Sequence, residues 1–207
     1  MNDVKNRIGI SGGTFDPIHN GHLIVAEFIM EILSLDKVIF IPSGKPPHKD
    51  EMSVTPPEHR YNMICAAIDG NSNFEVSKIE IERGGNTYTI DTLRELKKMY
   101  GPDTEIFFIT GADVIRDIAS WKDFRAVFGM CEFVAALRPN YQKESFIHEI
   151  RRLKSEFNAR IQIVNAPLID ISSTEIRNRV FENKPIRYLV PERVEEYIIK
   201  NKLYVKQ

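Results

Sequence analysis

Two short stretches of the chain hold residues able to act on phosphate. Residues 10–22 read ISGGTFDPIHNGH, with His19 and His22 three apart just after an apolar run. Gly12 and Gly13 let the backbone turn sharply and approach a ligand closely. A helix is expected to start near Asn20 to His22. Its N-terminus offers unpaired N–H groups and a positive dipole end where an anion settles. By residue type alone two other readings stand beside this one. The histidines could only cap the helix, or Asp16, His19 and His22 could bind zinc, although no H-E-x-x-H or cysteine cluster supports that. A dinucleotide fingerprint is excluded, since no glycine lies between Gly13 and Gly21. A P-loop is excluded too, because Gly44-Lys45 is followed by Pro46.

The second stretch is ISSTEIR at 171–177. Ser172 with Glu175 three residues on is a capping box that opens a helix. The same hydroxyl-rich helix start, with Arg177 in its second turn, can clamp a polyphosphate. Both uses are compatible, because the cap builds the helix end that the phosphate would use.

The elements that position these stretches follow from hydrophobic patterning. Strands are expected over 7–11, 37–43, 74–82, 105–110, 131–137 and 159–165. Most are continuous apolar runs, as in strands covered on both faces. The stretch FEVSKIEIE (74–82) alternates more strictly and is expected toward a sheet edge or in a partly exposed position. Helices are expected over 22–35, 57–69, 90–100, 145–157 and 190–204. The alternation predicts a doubly wound α/β fold, a mainly parallel sheet with helices on both faces. Segment 42–57 carries five of the eleven prolines and is expected to be a surface loop at a strand's C-terminal end. A single domain over 1–207 is expected, with 166–207 a C-terminal helical part carrying ISSTEIR.

Charge narrows the partners. The 207 residues hold 28 basic and 29 acidic side chains, a net charge of -1. That balance gives no reason to expect polymeric nucleic acid or an anionic membrane as partner. Cys65 and Cys131 sit among apolar neighbours and are expected to be buried free thiols, which suits a reducing cytoplasm. No apolar run is long enough for a membrane span or a signal peptide core, so a soluble cytoplasmic protein is expected. A homo-oligomer is compatible with the sequence.

Taken as units, GGTFDPIHNGH and ISSTEIR resemble the H-x-G-H and I-S-S-T-x-I-R signatures of the nucleotidylyltransferase superfamily. IPSGKPPHK, GGNTYTIDTL (84–93), FITGADVIRDIASW (108–121), LRP (137–139) and the closing VPERVEEYIIKNKLY are similar to one member family, bacterial nicotinate-mononucleotide adenylyltransferase. The resemblance implies a Rossmann-like fold and transfer of an adenylyl group from ATP to nicotinate mononucleotide, with Mg²⁺ accompanying the ATP. Such a reaction needs positioning and charge stabilisation rather than a base or covalent residue. It implies catalytic roles for His19, His22 and Arg177. It places Gly12, Gly13, Thr14, Phe15, Gly21, Ile171, Ser172, Ser173 and Thr174 around ATP. Lys45 and His48 would meet the mononucleotide phosphate, and Thr87, Tyr88 and Thr89 would line the pyridine pocket. Trp121, the only tryptophan, would stack on the ring or else belong to the core. Gly111, Asp113 and Arg138 would lie at the same sheet edge, Asp113 near ribose hydroxyls. Rivals are phosphopantetheine adenylyltransferase, another small-molecule nucleotidylyltransferase, a non-catalytic nucleotide-binding module and a metal-dependent hydrolase.

Overall fold

The computed structural model of the chain describes residues 6–45, 54–136, 143–167 and 169–206. Among these, six strands form one sheet: β1 (Arg7–Gly13), β2 (Lys37–Pro42), β3 (Phe74–Val76), β4 (Glu105–Gly111), β5 (Glu132–Ala136) and β6 (Ile161–Val164). Their order is β3-β2-β1-β4-β5-β6, and every adjacent pair is parallel. The helices between them are α1 (Asn20–Ile32), α2 (Pro57–Ile68), α3 (Ile79–Arg83), α4 (Thr89–Tyr100), α5 (Ala112–Asp117), α6 (Phe124–Met130) and α7 (Lys143–Phe157), and α8 (Ser173–Phe181) and α9 (Glu192–Lys200) follow β6.

Alternating side chains of each strand feed two separate cores, which is why the strands read as unbroken apolar runs. Ile106 and Phe108 of β4 join Ile8, Ile10, Phe133 and the buried faces of α4, α6 and α7. Phe107 and Ile109 face the other way, with Val38, Phe40, Ala26, Met63, Ile176 and Val194. The doubly wound expectation is met, and the two C-terminal helices close the second layer. Pro57 opens α2, where its missing N–H leaves no bond unmade.

The sequence expectation differs from the structure in three places. FEVSKIEIE is not one strand: β3 stops at Val76, and Ile79–Arg83 is a helix. Ser77 ends the ladder, its N–H donating to Phe40 and its hydroxyl accepting the Ile79 N–H at 3.3 Å. A helix of five residues is too short to show a 3.6-residue period, so Ile79 and Ile81 mimic strand alternation. β3 does take the expected sheet edge. The segment 112–130 folds as α5, a 3-10 turn at Ile118–Ser120 and α6, all short and none expected. Cys131 is buried, whereas Cys65 is only half-buried; neither is in a disulfide. Among the described residues, no helix is long and apolar enough to cross a membrane.

Candidate active site

The sheet reverses its winding between β1 and β4, and ligands of open α/β sheets bind beyond the strand ends at such a point. β1 ends at Gly13 and the chain crosses to α1 through Thr14–His19. Phe15 adopts a positive φ of 50° that turns its buried ring against Phe40, with centroids 5.9 Å apart. The Phe15 ring also meets His22, with centroids 5.0 Å apart and 72° between planes. His19 caps α1, and its backbone N–H donates to His22 Nδ1 at 3.2 Å. The two imidazoles stack, 3.6 Å between centroids and 22° between planes. Gly21 leaves room beside the stack, since a β-carbon there would sit 3.1 Å from His19 Nδ1 and the ring would have to shift.

Burial, and secondarily the neighbouring His19, holds the His22 pKa well below its ordinary value of 6.5. The ring is therefore neutral at pH 7. Because Nδ1 accepts the His19 N–H, the ring proton sits on Nε2 and is available to a ligand.

The turn is braced from behind by buried polar groups. Asp16 is buried and accepts the Tyr204 hydroxyl at 2.7 Å and the Thr55 N–H at 3.2 Å. Burial, then Asp16, raises the Tyr204 pKa, so the phenol keeps its proton. Arg60, 1% exposed, donates to the carbonyls of Thr55 (2.8 Å), Thr14 (2.8 Å), Ser43 (2.7 Å) and Gly44 (3.3 Å). One guanidinium thus ties the loop after β1 to the loop after β2. Gly44 is pressed so closely on the Glu80 carbonyl that a β-carbon would collide with it.

ISSTEIR docks directly on this turn. Ser172 accepts the Glu175 N–H at 3.1 Å, the cap expected from the sequence. The Ser173 hydroxyl donates to the Pro17 carbonyl at 2.8 Å, across 156 positions of sequence. Arg177 donates to the Asp16 carbonyl at 2.8 Å and to Thr174 Oγ1 at 3.4 Å.

Two cavities open over the strand ends. The larger, about 660 Å³, is lined by Gly12, Gly13, Phe15, His19, Gly21, His22, Gly111, Ile171, Ser172 and Ser173 among others. The smaller, about 440 Å³, is lined by Thr14, Thr87, Tyr88, Thr89 and Trp121 among others. Gly12, Gly13, Thr110 and Val114 line both, so the cavities meet where β1 and β4 end.

Most of the sequence candidates therefore converge. Thr14, expected beside ATP, faces the smaller cavity instead. Gly111, expected beside the mononucleotide, lines the larger one. Lys45 pairs with the pocket wall: its N–H donates to Thr87 Oγ1 at 3.2 Å, and its carbonyl accepts the Thr87 N–H at 3.3 Å. Thr174 and Arg177 stand behind the larger cavity, not among the described residues that line it. Trp121 is half-buried, packs at steep angles on Phe108 at 5.9 Å and Phe133 at 6.3 Å, and lines the smaller cavity. Asp113 is the second residue of α5, and Gly111 caps that helix. His48 and Arg138 lie outside the described residues, as does LRP (137–139).

Sequence reasoning missed Asp170 in the larger cavity, and Ser43, Glu80, Thr92 and Lys122 in the smaller. It also missed the bracing residues Arg60 and Tyr204. The IEIE alternation around Glu80 reads as a strand and so concealed it. The others look like ordinary loop or helix residues until the chain is folded.

Residues 10–179 match the cytidylyltransferase-like family. A probable nicotinate-nucleotide adenylyltransferase of Desulfitobacterium hafniense (strain Y51) is 48% identical over 204 residues, covering 99% of this chain and 98% of the relative. One from Thermoanaerobacter sp. (strain X514), of the same name, is 50% identical over 200 residues, 97% and 95% of the two chains. The chain belongs to the nicotinate-nucleotide adenylyltransferase family. Solved members share the fold of this adenylyltransferase chain. Plasmodium falciparum nicotinic acid mononucleotide adenylyltransferase complexed with NaAD superposes with a TM-score of 0.78 at 25% identity, covering 96% of this chain and 97% of that one. The same enzyme complexed with APC gives 0.76 at the same identity and coverage.

Proposed function

We propose that the protein transfers the adenylyl group of ATP to nicotinate mononucleotide, yielding nicotinate adenine dinucleotide and pyrophosphate in NAD biosynthesis. The observation that carries this reading is the junction of the two cavities at Gly12, Gly13 and Thr110, with His22 lining the larger side. Two ligands seated there approach each other over the end of β1, which suits group transfer between them. The relatives' names and the dinucleotide in the Plasmodium neighbour support the same assignment.

ATP occupies the larger cavity, its phosphates against Gly12, Gly13 and the start of α8, with Ser172 and Ser173 beside them. Phe15, Gly21, Ile171 and Thr174 complete or support that wall. The mononucleotide fills the smaller cavity, its pyridine on Trp121 and between Thr87, Tyr88 and Thr89. Lys45 and His48 serve its phosphate and Asp113 its ribose, with Arg138 a further candidate for the same ligand. A phosphate oxygen of the mononucleotide bonds to the α-phosphorus. The bond from that phosphorus to the bridging oxygen breaks, and pyrophosphate leaves with the electron pair. The nucleophile is already ionised near neutral pH, so no base and no covalent intermediate are required. His22 Nε2–H and His19 donate to charge building on the transferring phosphate. Arg177 acts by fixing the Asp16–Pro17 turn against α8, and its charge adds to the field.

Mg²⁺ would fit this site as a partner of the triphosphate, and Asp170, the acidic side chain among the described residues lining that cavity, would be the group to hold it. When bound, it neutralises charge on the phosphates. We place the protein in the cytoplasm, where ATP and the mononucleotide are found together.

The test is pyrophosphate release from Mg-ATP with nicotinate mononucleotide, nicotinamide mononucleotide and phosphopantetheine supplied separately. The fastest release is expected with nicotinate mononucleotide. Release only with phosphopantetheine, or none with any, would reject the assignment.

A further inference from the structure

The smaller cavity contains one acidic side chain among the described residues that line it, Glu80. Glu80 is 9% exposed, in the short α3 that the sequence disguises as a strand. Its Oε1 accepts the Thr92 hydroxyl at 2.7 Å, and Thr92 lines the same cavity. Thr92 Oγ1 in turn accepts from Arg83 at 2.9 Å, and Arg83 pairs with Glu95 at 3.1 Å. Arg83 is thereby spent on Thr92 and Glu95 rather than bonded to the Glu80 carboxyl. Thr92 sits one turn into α4, whose first residue, Thr89, also lines the cavity. The carboxyl thus stands at the wall the pyridine would occupy.

We propose that Glu80 sets the specificity of the mononucleotide pocket, accepting a carboxylate-bearing pyridine when its own carboxyl is protonated and opposing it when ionised. This rests on the assignment of the smaller cavity to a pyridine mononucleotide. Lys122, the cation among the described residues lining this cavity, is held over the Tyr88 ring at 4.3 Å and by Asp91 at 3.6 Å, so its charge is already shared. Two carboxylates enclosed in one small cavity then each disfavour the other's charge. A pyridine acid therefore enters with proton uptake at Glu80, whereas the corresponding amide enters without it. The groups facing Glu80 decide where this happens. Burial pushes its pKa up to about 7; the Thr92 hydrogen bond and the charges of Arg83 and Arg60 pull it down, while Glu95 pushes it up. The switch therefore falls within the physiological range.

The test measures binding of nicotinate mononucleotide and nicotinamide mononucleotide to the whole protein by calorimetry between pH 6.5 and 8.5. Both ligands carry the same 5′-phosphate, so its titration cancels in the ratio of their dissociation constants. The account expects that ratio to shift against the acid by up to roughly 25-fold over this range, from a carboxyl titrating at about 7. Buffers of different ionisation enthalpy should show a proton taken up with the acid above pH 7 and none with the amide. In Glu80→Gln, which keeps an oxygen for Thr92, the ratio should become independent of pH and the proton uptake should vanish. A purely structural Glu80 would instead weaken both ligands equally at every pH. A flat ratio without proton uptake in the unmodified protein overturns the inference while leaving the pocket assignment standing. Failure of both mononucleotides to bind would overturn the assignment, and the inference with it.

Discussion

Replacing Arg60 by Met removes a buried cation of similar length and leaves the backbone of two active-site loops without its tie. The guanidinium makes three hydrogen bonds of 2.7–2.8 Å to the Thr55, Thr14 and Ser43 carbonyls, and one of 3.3 Å to Gly44. A buried acceptor stripped of its donor costs about 1–3 kcal/mol, and some of these carbonyls recover part of that by relaxation. Asp16, which lies near enough to act on Arg60 electrostatically, also loses its compensating charge. A net loss of about 3–5 kcal/mol is expected, in line with breaking other buried charge networks. For a chain of this size each kcal/mol moves the melting temperature by about 2–4 °C, so the midpoint should fall by roughly 6–20 °C. The same variant should raise the KM for the mononucleotide several-fold, because the Ser43 and Gly44 carbonyls lose their shared donor and the segment keeps only the Ser43 N–H bond to Gly13 and the Lys45–Thr87 pair. Arg60→Lys, which keeps charge but not the fork of donors, should lie between the two. The assay is thermal unfolding by circular dichroism together with steady-state kinetics. A Met variant melting within about 2 °C of the parent would refute the reasoning, since it would mean the carbonyls find other donors.

His22→Ala should lower kcat by about 10²–10³ while changing mononucleotide affinity little, the pattern for a donor used at the transition state. Equal losses in kcat and in binding would make the imidazole a positioning group. Trp121→Ala should raise the KM for the mononucleotide by roughly tenfold through lost stacking of about 1 kcal/mol and lost apolar contact, and leave the KM for ATP unchanged; an unchanged mononucleotide KM would return Trp121 to the core. Glu80→Gln tests burial of the carboxyl through stability. The folded pKa of about 7 lies above the ordinary 4.5, so the stability Glu80 contributes is fully present below pH 4.5 and lost as pH rises through 7. The Gln variant should therefore gain about 2–3 kcal/mol relative to the parent between pH 5 and pH 8 in denaturant titrations. A stability difference that does not vary with pH would mean Glu80 is ionised throughout.

Much of this site was legible before folding because its residues belong to compact motifs. ISGGTFDPIHNGH places a turn, a helix start and two donors within thirteen positions, and the structure keeps that local order. The capping serine of ISSTEIR was readable for the same reason, since Ser172 and Glu175 act within one turn. Long apolar runs in β1, β2, β4 and β5 announced strands covered on both faces. Contacts between distant positions left no such mark. Tyr204 reaches Asp16 over 188 positions, and nothing in the local sequence of either states the pairing. Arg60 reads as a polar residue of an amphipathic helix, yet the fold buries it almost completely. Glu80 was hidden by period, because a five-residue helix can carry the alternation of a strand. The division of labour between the cavities was also beyond reach, as Thr14 and Phe15 are neighbours in sequence but line different ones.

The central claim is that the mononucleotide's own phosphate attacks the α-phosphorus of ATP across the junction of the two cavities. Nicotinate mononucleotide carrying ¹⁸O on its terminal phosphate oxygens, incubated with Mg-ATP and the protein, tests it by mass spectrometry of both products. The account predicts nicotinate adenine dinucleotide that retains every labelled oxygen, and pyrophosphate that carries none. Absence of the dinucleotide, or label appearing in pyrophosphate, would contradict it.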